Sequence, residues 1–451
     1  MNAPDAPPPP TGLITRYLRG AAFTSASFIV AQALRLGANL ILARLLFPEA
    51  FGMMALVTMV LTGLNLLSDT GVQQSIQQHA RGDDRDFLNT AWTLNLVRGV
   101  ALWLLACALA WPIATLYGVV ELQWLIPVGG LGLVLAGLTP TRVYTAERHV
   151  LLGRIVLIEL AAQIMGIIVM VAVAWITGSV WSLVIGGLIG ASVKLGCEWA
   201  LLQGLRNRLR WEPAAGRALL AFGGWLLLSS ACGFLLTQGD RAVLGLYLTT
   251  EALGIYNIGW FLAAFPMMLA YALAGRLLIP VYREVTKTPQ TGVRIKQLRL
   301  CLSGGVWGLL LTMALIGPWL VEFLYDARYA RAGPIVTLIA CMQMVLLVTL
   351  TYDQAALAQG QSKRFFLLIA LRSAVQTACL VGGLILAGLP GAIAGQAVAA
   401  VLVYPAFVRL ARDLKVWDGR HDLIYATLAL LGGVAALALH ADRIATLAQN
   451  I

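Results

Sequence analysis

The sequence predicts an all-α polytopic membrane protein: two parallel six-helix bundles plus one extra C-terminal hydrophobic helix. Three observations predict it. Of 451 residues, 59% are hydrophobic and only 12% are charged, more apolar surface than a soluble domain carries. Apolar runs of about 20 residues, the length that crosses a hydrocarbon core, recur from Ala21 almost to the C-terminus. A phrase is also repeated: residues 45–52 read LLFPEAFG and residues 247–254 read YLTTEALG. A β-barrel would instead show short alternating segments.

The elements follow in chain order. Residues 1–20 open with the Pro-rich APDAPPPP and are expected to be a disordered cytoplasmic N-terminus. Arg16 and Arg19 precede a run too long for a signal-peptide core, so that run is a retained first span. Spans are expected at 21–45, 51–69, 87–113, 123–143, 155–176 and 180–203, forming a first lobe over 21–203. A basic linker, 204–217, leads to spans at 218–247, 252–275, 300–324, 333–358, 365–388 and 391–408, a second lobe over 218–412. A C-terminal segment, 413–451, carries the run 423–440, which either crosses the membrane or lies against the bundle. Pro48-Glu49, Tyr117-Gly118, Thr177-Gly178-Ser179 and Gly388-Leu389-Pro390-Gly391 are turn signals between spans. The stretches GGLGLVLAG (129–137) and GGLIGAS (186–192) are small-residue faces for close helix contact.

Charge placement orients the chain. With the N-terminus cytoplasmic, 23 of the 32 basic residues fall on inside segments and only Arg44, Arg328, Arg331 and Arg443 fall outside, as the positive-inside rule requires. The net charge of +11 is then a contact with anionic lipid headgroups, and nucleic acid is not needed to explain it. No loop is long enough for a soluble domain and no phosphate-binding loop motif occurs, so neither ATP hydrolysis nor any other enzymatic activity is expected. The six cysteines lie inside apolar runs at no metal-ligand spacing. They read as buried thiols, and no metal or cofactor is expected.

The repeated phrase extends further. Aligning Glu49 with Glu251 also aligns Gly52 with Gly254 and Gly37 with Gly239. WPIATLYG (111–118) is echoed by GPWLVEFLYD (317–326), and LLGRIVLIEL (151–160) by QSKRFFLLIAL (361–371). The chain therefore reads as two homologous halves of six spans. An even number of spans returns the chain to the same side, so the halves are parallel repeats, and rocking of one against the other gives alternating access along their seam.

ARLLFPEAFGMMALVTMV (43–60), LLSDTGVQQSIQQ (66–78) and GDRAVLGLYLTTEALGIYNIG (239–259) resemble the polysaccharide transporter family of Wzx- and WzxC-type flippases. That family belongs to the superfamily of multidrug extruders and the lipid II flippase. The resemblance covers about residues 20–412. It implies a V-shaped pair of bundles in a bacterial inner membrane, translocating an undecaprenyl-diphosphate-linked oligosaccharide of O-antigen or exopolysaccharide. It also implies a monomer working beside polymerase and chain-length proteins. The family has 12 or 14 spans, and the count of 13 here departs from both.

Ionisable groups inside spans are the candidate site, because each costs about 2.5 kcal/mol or more at the membrane centre. Arg35, Arg98 and Arg372 are deep in their spans and would suit a diphosphate or uronic acid; the alternative is a structural ion pair with a neighbouring helix. Lys194 and Glu198 are spaced to pair with each other; the alternative places Lys194 toward the cavity. Asp240, Glu159 and Asp353 are candidates for ion coupling, Asp240 through the resemblance. Glu159 and Asp353 also lie near enough to a span end to face headgroups. Adjacent residues are about 100° apart on a helix, so Asp240 and Arg241 are expected to face different ways.

Two other functions compete with a flippase. A drug or cation antiporter of the same superfamily would present carboxylates in its cavity, whereas five basic residues lie within the spans here. A membrane enzyme of polysaccharide assembly would need a substantial outer loop, and the outer loops are short.

Overall fold

The computed structural model describes residues 11–68, 71–149, 152–284, 289–352, 362–414 and 416–449. Among them every regular element is a helix: α1 (Thr11–Leu45), α2 (Pro48–Leu66), α3 (Val72–Gln78), α4 (Arg85–Tyr117), α5 (Leu122–Gly137), α6 (Arg142–Arg148), α7 (Leu152–Thr177), α8 (Trp181–Leu201), α9 (Pro213–Tyr247), α10 (Thr250–Glu284), α11 (Pro289–Leu324), a short 3₁₀ turn at Ala327–Tyr329, α12 (Ala332–Leu347), α13 (Ser362–Asp413), α14 (Gly419–Leu439) and α15 (Ala441–Gln449). Nine helical segments among the described residues are long and apolar enough to cross a membrane. The pair α5 and α6, bent by 59°, makes a tenth if counted as one span.

Helices stand at each expected span, the one expected at 123–143 being broken between α5 and α6, with three further refinements. α13 runs through 52 residues, far longer than a bilayer requires. It is a hairpin of two spans, turned where Ala387 leaves helical geometry and Gly388 takes φ +60°, a conformation that favours glycine. α12 ends at Leu347, short of the expected 358; the chain turns at 348–349 and resumes helical geometry at 350. The run 423–440 is the helix α14, one of the segments long and apolar enough to cross.

The chain packs as two compact units. One comprises residues 1–45, 69–109 and 127–224. In it α7 packs along α8 and against α1. The small-residue stretch of α8 permits this: a Cβ on Gly186 would lie 2.5 Å from the Met170 Cβ and 2.9 Å from the Gly166 carbonyl oxygen. The basic linker is strapped to this unit rather than loose. Asn207 accepts from the Thr141 amide at 3.0 Å, Asn89 accepts from the Arg208 amide at 3.0 Å, and Thr90 accepts from the Glu212 amide at 3.0 Å. Arg81 forks onto both Glu212 oxygens at 2.9 Å and reaches Asp84 at 3.0 Å. Asp84 is held below the usual carboxylate range, first by the Phe87 amide and then by Arg81; Glu212 is held down by Arg81.

The other unit comprises residues 46–68, 110–126 and 225–451, and it brings the two copies of the repeated phrase together. Each copy starts a helix. Pro48 occupies the first turn of α2, where its missing N–H is harmless, with Glu49 beside it. Thr249 caps α10 by accepting from the Ala252 amide at 3.2 Å, and Glu251 follows in the first turn. The two helix starts cross backbone to backbone. A Cβ on Gly52 would lie 1.9 Å from the Thr250 carbonyl oxygen, and one on Gly254 would lie 1.9 Å from the Pro48 carbonyl oxygen. Glycine is required at both positions because no side chain fits. Around this crossing, Tyr117 donates to the Ala242 carbonyl at 3.1 Å, and Tyr329 donates to the Leu46 carbonyl at 3.1 Å.

In the same unit α14 is pinned to α11 at both ends. Tyr425 donates to the Leu300 carbonyl at 2.7 Å, and His440 bonds the Leu315 carbonyl at 2.7 Å. Its outer face presents Leu423, Leu430, Leu431 and Val434, all exposed, as a lipid-facing surface does.

Candidate functional site

The charges within the spans fall into three groups. On α1, Arg35 is exposed and donates to Gln32 at 3.3 Å, one turn back on its own helix. No carboxylate lies within ion-pair distance of it among the described residues. The same turn of α1 is fixed to α7, where Gln163 donates to the Ala31 carbonyl at 2.8 Å. Arg98, on α4 in the same unit, is half-buried.

A second group joins α7 to α8. Lys194 bonds Glu159 at 3.0 Å and lies 3.9 Å from Glu198. The expected pair with Glu198 thus gives way to a shared arrangement, in which the closer partner is on the neighbouring helix. Sequence spacing saw only the carboxylate on the same helix; Glu159 is brought in by the close α7–α8 packing. Glu198 is the buried member at 2% exposure, while Lys194 and Glu159 are 42% and 51% exposed.

The third group is at the end of α9. Asp240 and Arg241 do meet, at 3.5 Å, both buried. This corrects the expectation that they face different ways. The long Arg241 side chain folds back along its helix, where it reaches the Thr237 carbonyl at 3.3 Å. Its Nε donates to Asn257 at 3.1 Å, and its guanidinium lies 4.2 Å from the Trp260 ring centre. Asp240 also accepts from Tyr256 at 2.7 Å and from the Arg241 amide at 2.8 Å. A carboxylate with these donors is satisfied by the protein itself. Arg372 is half-buried on α13; one turn further, Gln376 is 3.5 Å from the Leu236 carbonyl of α9. Asp353 lies outside the described residues.

Sequence reasoning missed a buried network at the start of α14. Asp422 accepts from Tyr352 at 2.7 Å and from Tyr404 at 2.9 Å, and His421 is 3.1 Å from it. The other ring nitrogen of His421 bonds Ser303 at 2.9 Å. Arg299, only 1% exposed, lies 4.0 Å from Asp422 with its guanidinium over the Tyr352 ring. Arg299 precedes the span expected at 300–324, but α11 begins ten residues earlier, at Pro289. All its members but the half-buried Tyr404 are buried, and the network ties α11, α13 and α14 together. Among the described residues no cluster has the composition of a metal site.

Long apolar helices with charges held between them define the class: a multi-pass, all-helical membrane protein of the transporter type. The particular family follows from comparison. Residues 41–334 match the model of the polysaccharide biosynthesis protein family, and the chain belongs to that family. The chain is 26% identical over 278 residues to the amylovoran biosynthesis protein AmsL of Erwinia amylovora, covering 59% of this chain and 70% of that protein. It is 23% identical over 352 residues to the succinoglycan biosynthesis transport protein ExoT of Rhizobium meliloti (strain 1021), covering 76% and 70%. It is 24% identical over 280 residues to the lipopolysaccharide biosynthesis protein WzxC of Escherichia coli (strain K12), covering 60% and 55%. Its fold is similar to that of the lipid II flippase MurJ in an inward closed conformation, with a TM-score of 0.66 at 13% identity over 94% of this chain and 100% of that one. It is also similar to an inward-facing multidrug resistance transporter of the MATE family, with a TM-score of 0.64 at 13% identity over 85% and 94%.

Proposed function

We propose that this protein carries polyprenyl-diphosphate-linked oligosaccharide units across the bacterial cytoplasmic membrane by alternating access. The observation that carries the reading is Arg35. It is an exposed guanidinium well inside a span with no carboxylate partner among the described residues. Such a group needs water or an anion, and a diphosphate matches the planar fork of arginine. Arg98 and Arg372 are proposed to extend this cationic lining. The names of the relatives, a transport protein for succinoglycan and WzxC for lipopolysaccharide, support a saccharide cargo.

In this reading the two homologous halves, 21–203 and 218–412, are the moving bodies, the N-terminus is cytoplasmic, and the chain acts as a carrier without enzymatic activity. It is proposed to work as a monomer, handing its cargo to polymerase and chain-length proteins.

Export of polymer in a strain lacking the native gene tests this. Arg35→Ala is expected to abolish export and accumulate lipid-linked sugar at unchanged membrane abundance. Arg35→Lys is expected to retain part, because charge remains but the bidentate fork is lost. Full export from the double Arg35→Ala, Arg98→Ala variant would overturn the cationic-cavity reading.

A further inference from the structure

We propose that Glu198, with Lys194 and Glu159, forms a proton-carrying site that couples transport to the proton gradient. The proposal rests on the transporter reading above and adds a coupling ion to it.

The geometry gives two carboxylates one ammonium. Lys194 Nζ is 3.0 Å from Glu159 Oε1 and 3.9 Å from Glu198 Oε1. Glu159 therefore holds the lysine, and Glu198 is left with a distant share of it. Glu198 is 2% exposed, and its Oε1 has no hydrogen-bond partner. That atom is the one directed at the ammonium. A buried carboxylate oxygen facing the cluster without a donor is the arrangement a protein avoids unless something binds there.

The surroundings do not supply the missing charge. From α7 the group facing Glu198 is Glu159, and from its own helix it is Lys194. From α6, Glu147 adds a further negative charge within electrostatic reach, although it accepts from Gln73 and Gln77. Arg142, also on α6, turns away: it donates to the Leu202 carbonyl at 2.6 Å and lies 5.1 Å from the Trp199 ring centre. The cluster of Glu159, Lys194 and Glu198 has net charge −1 with both carboxylates ionised. A proton on Glu198 makes it neutral.

The site lies within one or two helical turns of the end of α8 that leads into the basic linker. Lys194 and Glu159 are themselves 42% and 51% exposed, and the proton is proposed to reach Glu198 past them. Proton binding forms an O–H bond on Glu198 Oε1 at the expense of a hydronium ion, and Lys194 stays with Glu159. Release returns the proton to water, and the restored carboxylate draws Lys194 across from Glu159. The lysine is thus a two-position switch between α7 and α8, and its position reports protonation to the helix pair.

Infrared spectroscopy of the purified full-length protein in lipid nanodiscs tests the site directly. At neutral pH and without sodium, the wild type should show a carboxylic-acid carbonyl band that E198Q removes. E322Q, at an exposed carboxylate bonded to Arg443, should leave it in place. If the band is absent, or survives E198Q, the proposal is overturned. If sodium abolishes the band, a metal cation competes for the site, and the assignment to the proton as coupling ion is overturned. Should E198Q fail to fold, E198D must shift the band, and an unshifted band in E198D overturns the proposal equally. Polymer export with the proton gradient collapsed gives the second arm. Wild-type export should fall at least tenfold, and the residual export of E198Q should not respond to the gradient. Wild-type export that is insensitive to the gradient refutes the coupling. A wild type that restores no export refutes the transport reading while leaving the infrared result to decide the site.

Discussion

At the scale of single residues, the buried charges differ in how completely the protein satisfies them. Asp240 has a tyrosine hydroxyl, a backbone amide and a guanidinium; it reads as a structural anchor of α9 against α10. Tyr256→Phe should then destabilise the protein by about 1–3 kcal/mol, since a buried carboxylate oxygen loses its donor. Thermal unfolding of the purified variant checks this, and export per folded molecule should be unchanged. A loss of export at wild-type stability would return Asp240 to the transport path. The linker clamp makes a prediction about pH. Asp84 and Glu212 are both held below their ordinary range, so their stabilisation is complete above the usual carboxylate pKa of about 4 and is lost as pH falls through the folded values. Linker docking should be constant at neutral pH and loosen only in acid. The fluorescence of Trp211, whose ring packs on Gly216, reports it; Arg81→Ala should bring the loosening to higher pH. Residue identity and position marked Arg35, Lys194 and Asp240 as candidates. They did not reveal partners such as Tyr256 or Glu159, because those come from helices distant in sequence.

At the scale of elements, the repeated phrase has a physical explanation. LLFPEAFG and YLTTEALG are two helix starts that cross at their glycines, each glycine facing a carbonyl of the other phrase. Gly52→Ala and Gly254→Ala should each force the starts of α2 and α10 apart, because 1.9 Å to a backbone oxygen cannot be relieved by a rotamer change. Labelling of a cysteine introduced at Thr250 should speed up several-fold in the Gly52→Ala protein; an unchanged rate would show that the crossing tolerates a methyl group. The spans themselves were legible because length and hydropathy decide them. The echo in the sequence predicts a division into two halves, whereas the contacts follow another partition. Residues 46–68 and 110–126 pack with the second unit, and no repeat in the sequence could show that. α14 was legible as an apolar run, while its attachment through His421, Asp422 and His440 was not, since these polar residues flank the run and resemble ordinary loop residues.

For the whole molecule, the orientation is the property on which the transport reading depends, and the argument for it is electrostatic. The basic residues cluster on alternate loops, including 204–217 and 276–299, and leave few basic residues on the intervening loops. Cytoplasmic retention of these loops would put the turn at Thr177–Ser179 outside, together with the crossing of α2 and α10. Trp175 and Ile176, 81% and 85% exposed, sit just before that turn, as an aromatic belt does at a membrane–water interface, and Gly178 supplies the left-handed turn at φ +57°. A cysteine placed at Ser179 in a cysteine-free background should therefore react with a membrane-impermeant maleimide added to intact cells whose outer membrane has been opened. A cysteine at Arg208, on the exposed basic linker, should react only after the inner membrane is breached. With α14 spanning, a cysteine at Asp442 should behave like Ser179, because α14 adds one crossing to the twelve expected of the two halves. If α14 instead lies along the surface, Asp442 should follow Arg208. If Ser179 and Arg208 exchange behaviour, the orientation is inverted, and the proposed direction of cargo movement is inverted with it.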